Sequence, residues 1–171
     1  KLSLHFQTLR DNVDETWCSL TRRKGWLSLR GRDSLASPFD QSLVARRLQH
    51  FQASAETCVS FQPRNFKQTA GLIAYYERMY YHYLRVTSAG DGKIKIGVIS
   101  SENTKASRFE AVELPLAASG KIFLRMEMEW TELRFAWSLD GAKWTAVDRV
   151  FESTLLGDWV SPNSSFTGTF W

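Results

Sequence analysis

The chain has 171 residues, 43% of them hydrophobic, 13% aromatic and 23% charged, with a formal net charge of +4. That length and apolar content suit one domain with a sizeable core. Charges dispersed among apolar residues exclude a disordered polyelectrolyte, and no apolar run approaches the ~20 residues of a membrane-spanning helix.

In chain order the pattern is period two almost throughout, the mark of strands with one buried face. Trp26–Arg30 and Leu43–Leu48 read as short N-terminal strands. Ala53–Gln62 sets Thr57, Val59 and Phe61 against Glu56, Cys58 and Ser60, and Pro63-Arg64-Asn65 closes it with turn chemistry. Gln68–Tyr76 and Tyr80–Thr87 follow as aromatic-rich strands, then Lys93–Ser100 with Ile94, Ile96 and Val98 on one face, then a shorter Arg108–Leu114 that stops at Pro115. Ile122–Trp130 is the clearest amphipathic strand: Ile122, Leu124, Met126, Met128 and Trp130 oppose Lys121, Arg125, Glu127 and Glu129. After a turn near Thr131, Leu133, Phe135 and Trp137 repeat the alternation. Asp140-Gly141 supplies a hairpin turn, Trp144–Phe151 returns from it with Trp144 against its own hairpin, and a helical turn is expected only near Ser153–Leu156. About ten short strands with one apolar face each predict an all-β fold, a two-sheet antiparallel β-sandwich, over residues 1–171 as a single domain.

The basic residues, densest at Arg22-Arg23-Lys24, do not form the patch that phosphate binding needs, so neither nucleic acid nor membrane is expected as a partner. Cys18 and Cys58 lie outside any metal-ligand or CxxC spacing, and His5, His50 and His82 are dispersed, so no metal and no cofactor is expected. Glycoside hydrolysis needs two carboxyl groups facing each other across the scissile bond. Glu127, Glu129 and Glu132 are the nearest approach, and the polar side of a half-buried strand accounts for them. No catalytic residue is therefore expected. The aromatics point instead to binding, because sugar rings stack their apolar C–H faces on exposed aromatic side chains. Alternation places Tyr81, Tyr83 and Arg85 opposite Leu84 and Val86. That face reads either as a sugar platform or as an inter-strand aromatic ladder or a contact with a missing domain.

Longer stretches carry a more specific signal. Trp26-Leu-Ser-Leu-Arg-Gly-Arg-Asp-Ser-Leu35, Gln41-Ser-Leu-Val-Ala-Arg-Arg47, Phe61-Gln-Pro-Arg-Asn-Phe66, Ala70-Gly-Leu-Ile-Ala-Tyr-Tyr76 and Phe166-Thr-Gly168 together resemble the C-terminal β-sandwich of family 43 β-xylosidases. The resemblance implies a concanavalin A-like jelly roll, also classed as a xylan-binding module. Its expected partners are a catalytic β-propeller, which would precede Lys1 and hold the catalytic carboxylates, and xylan or xylo-oligosaccharide. It further implies that a phenylalanine, placed at Phe166, reaches the mouth of the propeller's active site. Family members continue past this segment with another strand. The chain is accordingly expected to lack a last strand as well as the upstream propeller, and to associate, either as a homo-oligomer through the exposed edge or by docking the aromatic surface that a propeller would cover. A free-standing carbohydrate-binding module and a purely structural oligomerisation domain are the alternative readings.

Overall fold

The computed structural model describes residues 2–160 and 167–171. Alternating sequence becomes antiparallel sheet wherever a run is long enough to bury one face. β5 (Gln52–Val59), β10 (Ile122–Glu129), β11 (Glu132–Ser138) and β12 (Thr145–Glu152) form one four-stranded sheet in the order β12-β11-β10-β5. β6 (Thr69–Glu77), β7 (Tyr80–Gly90), β8 (Lys93–Glu102) and β9 (Lys105–Pro115) form the other, in sequence order. The sheets are stacked. Leu84 and Val86 from β7, with Ile94, Ile96 and Val98 from β8, meet Ile122, Leu124 and Met126 from β10 and Leu133 and Phe135 from β11 in one buried cluster. Each such side chain contributes roughly 1.5–3 kcal/mol relative to exposure.

A third layer covers the outer face of the second sheet. β1 (Phe6–Thr8) pairs with β4 (Val44–Arg46), and β2 (Cys18–Ser19) with β3 (Ser28–Leu29). Leu43 and Ala45 from this layer pack on Ile73, Tyr75, Tyr81 and Tyr83 in a second cluster. β7 is thus buried on both faces, although it lies in an antiparallel sheet.

Residues 169–171 stitch this layer to the sandwich. Phe170 bridges Tyr75 on one side and Arg47 on the other. The Phe170 N–H donates to the Tyr75 carbonyl at 2.7 Å and the Tyr75 N–H returns a bond at 2.8 Å, while Arg46 and Trp171 exchange a second pair at 2.6 and 2.8 Å. The edge of β6 is therefore occupied by backbone at this point.

Two local readings are corrected. β9 begins at Lys105, ahead of the expected Arg108, because Asn103 and Thr104, at φ 46° and 70°, make a tight turn directly after β8; Lys105, Ala106 and Ser107 are exposed and leave no apolar trace. β1 and β2 are too short to display a period. Trp130 does not continue the core face of β10: at φ 56° it sits in the β10–β11 turn and is 61% exposed. The Arg125 guanidinium of β10 lies over the Trp144 ring, 3.9 Å from its centroid, which adds a contact to β10. The Asp140-Gly141 turn forms as expected, with the Asp140 carboxylate accepting the N–H groups of Ala142 and Lys143 at 2.8 and 2.7 Å.

Candidate functional site

Tyr81, Tyr83 and Arg85 share one face of β7 as alternation predicts, but the residues are only 7%, 9% and 4% exposed. Burial pushes the Tyr83 hydroxyl up to about 12 and raises that of Tyr81. Tyr81 stacks on Tyr75, ring centroids 6.4 Å apart. The Arg85 guanidinium donates to both carboxylate oxygens of Glu110, at 2.8 and 3.3 Å. These rings offer no open face to a sugar, which corrects the platform reading; the ladder reading fits. The physical reason is the N-terminal layer, whose short, weakly patterned strands give no sign in the sequence of where they fold. Phe166 lies outside the described residues.

The polar face of the β5-β10-β11 region is an ion-paired surface. Arg125 contacts Glu56 at 2.7 Å and Glu127 at 3.9 Å, and Arg134 pairs with Glu132. Among the described residues no group of three or more His, Cys, Asp or Glu side chains is placed to hold a metal ion.

An open aromatic cleft lies at one end of the sandwich, where the β10–β11 turn, residues 48–51 leading into β5, and the 3₁₀ turn Ser153–Leu156 converge. Its volume is about 450 Å³, within the roughly 300–1,000 Å³ usual for ligand sites. Trp130 stacks on Phe51 with centroids 6.0 Å apart and planes at 14°. The turn is fixed from both sides: the Trp130 N–H donates to the Phe51 carbonyl at 2.8 Å, and Ser153 Oγ–H donates to the Trp130 carbonyl at 2.9 Å. Trp159, which also lines the cleft, lies against Gly157, where an added Cβ would sit 2.7 Å from the indole ring. The absence of a side chain there is what lets the ring lie down. Sequence reasoning missed this site because Trp130 reads as the last core residue of a strand and Phe51 falls between two predicted strands; the overlooked signal is a bulky ring at a two-residue hairpin turn, a place that favours Gly, Asn or Asp.

His82 is a buried polar group outside the cleft. Its Nε2–H donates to the Glu152 carbonyl at 3.1 Å, and its ring tilts against Phe151. Burial lowers its pKa, and the bond to Glu152 partly offsets this. With the folded pKa below the unfolded value of about 6.5, the unfolded chain takes up the proton first as pH falls. Stability is then intact above about pH 6.5 and is lost below it at up to about 1.4 kcal/mol per pH unit, until the folded pKa is reached. Thermal unfolding at pH 7 and pH 5 should show this loss in the native chain and a smaller one in His82→Gln. Equal losses would assign the acid sensitivity to other groups.

The family pattern of the β-xylosidase C-terminal concanavalin A-like domain matches residues 1–171. The chain belongs to this family. It is 34% identical over 164 residues to a xylan 1,3-β-xylosidase of a Vibrio species, covering 95% of this chain and 30% of that protein. With a β-xylosidase of Bacillus subtilis strain 168 it shares 34% identity over 172 residues, covering 99% and 32%. The crystal structure of a xylan β-1,4-xylosidase from Bacillus halodurans C-125 superposes with a TM-score of 0.93 at 34% identity, covering 99% of this chain and 33% of that one. The chain thus spans about a third of the length of these relatives, and this concanavalin A-like domain corresponds to their C-terminal, non-catalytic part.

Proposed function

We propose that this concanavalin A-like domain is the accessory domain of a family 43 β-xylosidase: it docks on the catalytic β-propeller, helps to shape the mouth of its active site and holds xylan or xylo-oligosaccharide. The observation that supports this reading is the match of the whole chain to the C-terminal third of β-xylosidases. The domain contributes binding and shape, and proton transfer belongs to the propeller. A comparison of the full-length enzyme with a form lacking residues 1–171 tests the role. The shortened form is expected to lose both thermal stability and activity on short xylosides, and a shortened form as stable and active as the original would remove the accessory role.

Within this reading Phe166 is the residue that reaches the active-site mouth. Phe166→Ala in the full-length enzyme should lower kcat/KM on short xylosides by about ten- to a hundredfold, the scale of one apolar contact in a substrate pocket. The melting temperature should stay unchanged. A drop of several degrees with intact kinetics would make Phe166 a packing residue instead.

A further inference from the structure

Three observations converge on the aromatic cleft. The first is charge: the chain has 22 Lys and Arg and 18 Asp and Glu, yet among the described residues none of these charged side chains lines the cleft, whose polar side chains are Gln49, His50, Thr131, Ser153, Thr154 and Thr169. Such a lining suits an uncharged ligand with hydroxyl edges. The second is exposure: Phe51, Trp130 and Trp159 are 71%, 61% and 77% exposed, so three large aromatic side chains are presented to solvent around one depression. The third is conformation. Trp130 holds φ 56°, a region in which a bulky side chain is strained and a glycine is not. A residue chosen only to close the turn would be glycine or asparagine, so the indole is retained there against local preference, as happens at functional sites.

We infer that this cleft is a binding site for a neutral pyranoside chain, a xylo-oligosaccharide, with sugar rings stacked on the exposed Trp130 and Trp159. The site rests on the proposed accessory role and gives it a location. A pyranose fits the lining because its apolar C–H faces meet aromatic rings and its hydroxyl rim exchanges hydrogen bonds with Thr131, Ser153, Thr154 and His50. An anionic glycan would enter with its carboxylates unpaired, and such burial is unfavourable.

The test is titration of the 171-residue chain with xylotetraose, followed by the indole N–H resonances of Trp130 and Trp159, beside the Trp130→Gly variant. Glycine removes the ring and relieves the turn, so the fold is kept and the melting temperature should not fall by more than a few degrees. Expected are shifts of both indole signals in the native chain, binding weakened by about tenfold or more in Trp130→Gly, as for loss of one aromatic contact, and no shift with an oligogalacturonate. Undiminished binding in Trp130→Gly would overturn the site while leaving xylan holding by the domain intact. Absence of any binding by the folded native chain would overturn both the site and the xylan-holding part of the proposed function, with docking on the propeller still judged by the deletion comparison. Equal binding of the oligogalacturonate would overturn the assignment to neutral sugars.

Discussion

Phe151→Ala is expected to lower the stability of the chain by about 3–5 kcal/mol, the usual loss for truncating a buried phenylalanine. Phe151 sits on β12, is 4% exposed and is one of the residues through which the two sheets meet. Its ring packs edge-on against Phe135 from its own sheet at 5.5 Å and against Phe109 from β9 of the other at 5.4 Å, with His82 of β7 at 5.2 Å. Removal leaves a cavity between rigid sheets that cannot collapse around it, so the transfer and cavity costs add. For a domain of this size, 1 kcal/mol corresponds to about 2–4 °C, and a fall in melting temperature of about 10–15 °C should follow. A fall below about 3 °C would mean that the sheets close over the gap and that Phe151 does not hold them together.

The second large effect is expected at Tyr83. Tyr83→Ala should cost about 3 kcal/mol, read by urea denaturation, whereas Tyr83→Phe should cost less than half as much because the ring supplies most of the packing with Ile73, Leu43 and Ala45. The alanine variant should unfold at lower urea and, while folded, retain whatever affinity the native chain has for xylotetraose. A variant that keeps its urea midpoint but loses sugar binding would restore Tyr83 to the role of an open platform. The two outcomes separate cleanly, since one concerns packing and the other a solvent-facing ring.

These contrasts show which parts of the molecule are legible in a linear chain. β10 is legible because Ile122, Leu124, Met126 and Met128 alternate over eight residues against charged neighbours, and a half-buried antiparallel strand has no other pattern. β8 and β11 are legible for the same reason. Alternation also sorts the two faces of β7 correctly, but it reports only which residues share a face and not what covers it. Tyr81 and Tyr83 are amphipathic enough for either fate, and the segment that buries them, from Leu9 to Ala45, is held by loops and two-residue pairings with no period to read. The cleft is hidden for a different reason. His50, Phe51, Trp130, Ser153 and Trp159 come from three separate segments, and their meeting is a property of topology; only the unusual backbone of Trp130 marks the place.

The stitch made by residues 169–171 has a kinetic meaning. Phe170 and Trp171 pair with Tyr75 and with Arg46, partners about a hundred residues away in sequence, so these bonds form only after a long loop has closed and its entropy has been lost. The hairpins β6-β7, β7-β8, β8-β9 and β10-β11 join strands adjacent in sequence and are free to assemble earlier. The N-terminal layer is then fastened last. By the same connectivity it is released first: opening the few bonds at Arg46, Leu48 and Tyr75 uncovers the Tyr75–Tyr81–Tyr83 surface while the sandwich core stays intact, a sub-global opening below the energy of full unfolding.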